Sequence, residues 1–324
     1  MNAKSLSGKG IVALLKETYT EWSNDKCMTL GASLAYYSIF SIAPLIMIAI
    51  GIVGAIYGQA AAEGEVTKQL TNVLGPQMAE AVGKLVQDAG KTSSATTITG
   101  IIVLLLGASG VFTQLKDALN TIWEVKPKPN QGIWGFVRSR LLTFGIVLVI
   151  GFLMLTSLIL TTLVTAFNDY IEKFLGIPPF ISQFLALVVP LAVEVLLFAM
   201  IFKLLPDAKV LWKNVWVGAA VTAVLFEIGK AFLSWYLARP STASSFGAAS
   251  SVVLMLVWVY YSSLILFFGA EFTEVWARST GHVIKPDEHA VRETALERAQ
   301  QGMEAGAPSD SSAATARSGA VNTG

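Results

Sequence analysis

The sequence predicts an all-α, polytopic membrane protein with six transmembrane helices, on three observations. Of its 324 residues 54% are hydrophobic and 14% charged, with a mean hydropathy of +0.61, whereas soluble domains carry about 25% charged residues. The apolar residues gather into six segments, each near or above the ~20 residues that a crossing helix needs. Lysine and arginine near the segment ends number fifteen on the side of the N-terminus and five on the other, which places both termini in the cytoplasm. The net charge of +1 gives no reason to expect a nucleic-acid partner. Cys27 is the only cysteine, and His282 and His289 are the only histidines. An intramolecular disulfide, a thiolate cluster and a His-rich metal site inside the hydrophobic body are therefore excluded, and no cofactor is expected.

Residues 1–26 are polar, with Ile11, Leu14, Leu15, Thr18, Tyr19 and Trp22 at helical spacing beside lysines. This reads as an amphipathic helix lying on the membrane surface, or packed on the protein's own cytoplasmic end. The six spans cover about 30–57, 96–116, 141–167, 181–205, 214–238 and 248–276. Between the first two, the outer loop 58–95 carries two short amphipathic patterns separated by Gly75-Pro76. Beyond 278 the composition changes. A charged helix is expected over 286–301, and the rest of the cytoplasmic tail 279–324, rich in Ala, Gly, Ser and Thr, reads as largely disordered.

Span 5 holds the most informative residues. Glu227 and Lys230 lie inside it one turn apart, and Glu194 lies inside span 4. An ionisable group at mid-membrane costs at least about 2.5–3.5 kcal/mol on insertion scales and faces protein or water. These three side chains form the candidate polar site, able to bind a cation, a proton or an amine. The competing reading is structural, with Glu227 and Lys230 neutralising each other at i, i+3. Ala220, Ala223, Glu227, Ala231 and Ser234 form a small, polar stripe expected to face the bundle, with Val221, Leu225 and Phe232 towards lipid. Tyr36, Tyr37, Ser41 and Pro44 in span 1, and Pro190 in span 4, are candidate helix-break or lining residues, because proline frees a backbone carbonyl. Trp123, at the end of span 2, reads as an interface anchor. Glu271 and Glu274, at the cytoplasmic end of span 6, read as solvated or paired.

Five stretches carry a family likeness: SLAYYSIFSIAPL (33–45), FTQLKDALNTIWEV (112–125), LLPDAKVLWKNVWVGA (204–219), LFEIGKAFLSWYL (225–237) and FGAASSVVLMLVWVYYSSLILFFGAEFTE (246–274). In this order, within residues 25–278, they resemble the YihY/BrkB family of bacterial inner-membrane proteins, once labelled ribonuclease BN-like. Phe246 stands where that family has tyrosine. The resemblance implies six spans in a bacterial plasma membrane and no settled activity. The nuclease label fails on chemistry, since metal-assisted RNA cleavage needs ligands this chain does not group together. The expectation is a non-enzymatic, passive or ion-coupled transporter of a lipid or other amphiphile, with a membrane scaffold or regulatory protein as the alternative. Its partners would be the lipid bilayer and an amphiphilic or small-molecule substrate. The small-residue faces of spans 2 and 5 leave a homo-oligomer open.

Overall fold

A computed structural model describes residues 8–41, 71, 80, 83–84, 98–128, 179–237 and 250–303. Pro44 and the second half of span 1, most of the outer loop, all of span 3, Phe246 and the tail from 304 lie outside the described residues. The helices are α1 (Gly8–Asn24), α2 (27–41), α3 (Ile98–Ile122), α4 (Pro179–Leu204), α5 (Trp212–Leu237), α6 (Ser250–Ser279) and α7 (Ala295–Gln300). Four short strands stand between them: β1 (Val125–Pro127), β2 (Ala208–Lys209), β3 (Lys285–Pro286) and β4 (Ala290–Arg292).

The central helix is α5, packed against both α4 and α6. Its segment Trp212–Leu233, and Val252–Ser279 of α6, are each long and apolar enough to cross a membrane. Exposed Trp212 and Trp216 mark one end of α5, and exposed Phe232, Trp235 and Tyr236 the other. At a rise of 1.5 Å per residue these aromatic groups lie roughly 30–35 Å apart, close to the thickness of a bilayer's hydrocarbon core.

The α5–α6 contact is reciprocal. A Cβ on Gly218 would overlap the Thr273 hydroxyl and come within 2.9 Å of its Cβ. One on Gly269 would overlap the Thr222 hydroxyl and come within 2.8 Å of its Cβ. Each threonine hydroxyl donates to the carbonyl of the glycine four residues earlier on its own helix, Thr222 to Gly218 and Thr273 to Gly269, both at 2.7 Å. The hydroxyls are thus satisfied within their helices, so the two backbones can approach as small residues allow. The inward face of α5 is Val215, Gly218, Ala219, Thr222, Ala223 and Leu233. This corrects the expected stripe by part of a turn: Ala223 is buried, but Ala220 and Ala231 are exposed, and Ser234's side chain lies outside the described residues. The outward row is Val224, Ile228 and Phe232; Phe232 faces outward as expected, whereas Val221 and Leu225 are half-buried.

α1 packs on α6 through Leu14, Thr18 and Trp22, which recur every four residues and are buried. Arg278 of α6 donates to Glu17 at 2.8 Å and to Glu21 at 2.9 Å. Ile11, Val12, Leu15 and Tyr19 remain exposed, so an apolar strip runs along one side of the buried face, opposite the side that carries Glu17 and Glu21. α2 meets α6 at Gly31, whose missing side chain admits Leu264 and Tyr260, and meets α3 at Gly110, which admits Ser41 and Tyr37. α4 runs unbroken through Pro190, whose side chain is exposed. Span 4 is therefore not interrupted there, since one lost backbone bond is absorbed by the turns on either side.

At one end of the bundle the segment 280–303 folds back as a strap, where a single charged helix over 286–301 is expected; the tail from 304, expected to be disordered, lies outside the described residues. β1 pairs antiparallel with β4, and β2 with β3, so the strap ties together the segments that follow α3 and α4. Helix α7 begins only after Thr294, whose hydroxyl accepts from the Glu297 N–H while the Glu297 carboxylate accepts from the Thr294 N–H, a reciprocal cap. Trp123, expected at a membrane interface, is buried beneath this end. It sits edge-on to Phe202 with ring centroids 6.1 Å apart and donates to the Ala270 carbonyl at 3.4 Å.

Candidate functional site

Glu194 on α4 and Glu227 and Lys230 on α5 come together. The Lys230 ammonium lies 2.6 Å from Glu227 Oε1 and 3.4 Å from Glu194 Oε1. The intrahelical pair follows from the i, i+3 spacing. The cross-helix contact follows from the α4–α5 packing, to which edge-to-face Phe198–Phe226 and Phe226–Trp258 contacts add a ladder across α4, α5 and α6. With all three groups ionised the triad carries a net negative charge, and Glu194 Oε2 is buried without a hydrogen-bond partner. The side chains of Glu194, Lys230 and Glu227 are 17%, 21% and 39% exposed, so the site is partly open. An open site with two carboxylates and one ammonium is suited to a cation, a proton or a protonated amine.

The other candidates do not join it. Ser41 is buried at the α2–α3 contact. Tyr36 is exposed and stacks edge-on with Tyr37 and Phe40, at centroid distances of 5.8 and 5.2 Å. The described residues also contain no group of three or more His, Cys, Asp or Glu able to hold a metal ion.

Sequence reasoning missed a dense ionic layer at the strap end. Arg298, 2% exposed, donates to the buried Asp25 carboxylate and, at 3.1 Å, to the Thr121 carbonyl. Arg292 donates to Glu124 at 2.7 Å. Asp207 receives Lys116 at 2.8 Å, accepts from the Asn120 amide and returns its own N–H to the Asn120 carbonyl oxygen. Lys126 pairs with Glu297. Glu271, read as solvated or paired, is fully buried and accepts from the Cys27 thiol. The only signal for this layer was the density of alternating charge at 278–301.

The strap is expected to come free in acid. Lys126, with the N–H and hydroxyl of Thr294, pulls the Glu297 carboxyl down to about 2. The Glu288 backbone N–H, helped by Lys209, lowers Asp287 as well. Both groups are lower in the folded chain than in the unfolded one, so they stabilise docking above the ordinary carboxylate range and lose that effect as pH falls towards about 2. Pepsin cleavage within 285–303 should therefore rise modestly across this window, since both groups are partly exposed, and less so in Glu297→Gln, which has already lost its part.

Two helices with crossing-length apolar runs, of which α5 carries aromatic residues at both ends and Glu227 and Lys230 of the triad, point to a membrane protein. The family model "Virulence factor BrkB" matches residues 18–294, and the chain belongs to that family. It is similar to a UPF0761 membrane protein of Alteromonas mediterranea, 28% identical over 74% of this chain and 79% of the relative. It is also similar to one of Mannheimia succiniciproducens, 28% identical over 79% of this chain and 87% of the relative. A longer relative, from Alkalilimnicola ehrlichii, is 26% identical, and the match covers 78% of this chain and 56% of that relative. No solved structure matches.

Proposed function

We propose that this chain is a passive or ion-coupled transporter of a lipid or other amphiphile. In this reading it crosses a bacterial inner membrane six times with both termini in the cytoplasm, and catalyses no reaction. The triad carries the proposal: Glu194, Glu227 and Lys230 meet between two helices, partly open, with one carboxylate oxygen unmatched. A group placed only to hold two helices together gains nothing from a surplus charge. The chain has no phosphate-binding GxxxxGK[ST] loop, so transport would draw on an existing gradient or a separate ATPase.

Cysteines introduced singly at positions 223, 227, 230 and 231 test this with a membrane-impermeant thiol reagent. The native Cys27 is fully buried and contributes little background. Labelling at 227 and 230 in the folded protein is expected. Shielding at all four positions, relieved only by denaturation, would mean a dry bundle and favour a scaffold.

A further inference from the structure

We infer that Glu271 is a proton-binding site, separate from the Glu194–Glu227–Lys230 triad. Its side chain is fully buried on α6. Oε1 accepts from the Cys27 thiol at 3.6 Å, and Oε2 has no partner. A second buried polar atom at this end, the Trp22 indole N–H, is also without one.

The surroundings supply charge of the wrong sign. Glu21 of α1, Asp25 of the α1–α2 turn and Glu274 of α6 itself are the acidic groups that act on Glu271, Glu124 at the end of α3 and Arg278 act on Glu274, and burial pushes the Asp25 carboxyl up to about 7. The nearby cations are committed elsewhere: Arg278 of α6 to Glu17 and Glu21, Arg298 of α7 to Asp25, Arg292 of β4 to Glu124, and Lys26 to the Gln301 carbonyl. None of the described cations lies within 4.0 Å of Glu271. A buried carboxylate with no cation beside it and several carboxylates around it is neutralised by taking a proton. A metal ion would do the same, but no metal-holding group exists among the described residues. The proton also has a mechanical consequence. Ionised Glu271 would repel Glu21 and Asp25, and so loosen the contact that seats α1 and the start of α2 on α6.

The test is infrared spectroscopy of the purified full chain in nanodiscs, comparing wild type, Cys27→Ala and Glu271→Gln. At neutral pH the wild type should show the carbonyl stretch of a protonated carboxylic acid. That band should shift in Cys27→Ala, which removes the thiol donor, and disappear in Glu271→Gln. The amide mimics the protonated side chain, so Glu271→Gln should melt with the wild type at neutral pH and above it at alkaline pH. The absence of any protonated-carboxyl band that responds to Cys27→Ala would overturn the inference. So would a Glu271→Gln protein destabilised equally at every pH. If Glu271→Gln does not fold, the Cys27→Ala comparison decides alone.

Discussion

Arg298→Ala is expected to destabilise the folded chain by about 3–5 kcal/mol, the usual cost of breaking a buried ion pair from one side. The guanidinium and the Asp25 carboxylate are 3% and 5% exposed, so neither partner has water to fall back on. Removing Arg298 leaves Asp25 and the Thr121 carbonyl without their donor and takes the favourable charge 3.9 Å from Glu124 away. Asp25→Asn combined with Arg298→Met should recover much of the loss, because the two residues are coupled. Thermal unfolding in nanodiscs reads the stability. Limited proteolysis should show the strap released in Arg298→Ala and docked in the double variant. A single variant as stable as wild type would mean that the strap does not hold this end of the bundle.

Gly218→Ala is the second large effect, at the upper end of the roughly 1–3 kcal/mol that overpacking costs. The added methyl would meet the Thr273 hydroxyl and Cβ, and its Cα at 3.3 Å. A Cα cannot rotate away as a side chain can, so α5 and α6 must separate. Thr273→Gly in the same chain should restore most of the stability. Gly269→Ala should behave likewise, with Thr222→Gly as its rescue, since the geometry is reciprocal. Gly83→Ala serves as the control: nothing lies within 4 Å of the new methyl, and in a helical position it should be neutral or stabilising by about 0.5–1 kcal/mol.

The helical bundle was legible because hydropathy and length are local properties. Each triad residue was legible for the same reason, since a charge inside an apolar run stands out. Pairing between Glu194 and Lys230 was not, because it depends on how α4 crosses α5, and spacing along one helix suggests only the Glu227–Lys230 contact. The inward stripe of α5 went astray by roughly the 100° that separates neighbouring residues on a helix, because Ala219 and Ala220 are each small enough to suit either face. The strap was missed for a different reason. Strands of two or three residues have no period to read, and β1 and β4 exist only because segments far apart in sequence meet. Trp123 was misplaced as a result: an aromatic at the end of an apolar run resembles an interface anchor until another segment covers it. Glu271 was misjudged in the same way.

The account rests most on the triad being an open, wetted site rather than a dry structural pair. The direct measurement is a thermal-stability cycle in nanodiscs with Glu227→Gln, Lys230→Met and the two combined. For a wetted site, screening holds each single change to about 1 kcal/mol or less, and the double to their sum. Single changes costing about 3–5 kcal/mol, with a double close to wild type, would contradict the account and make the charges a buried structural pair.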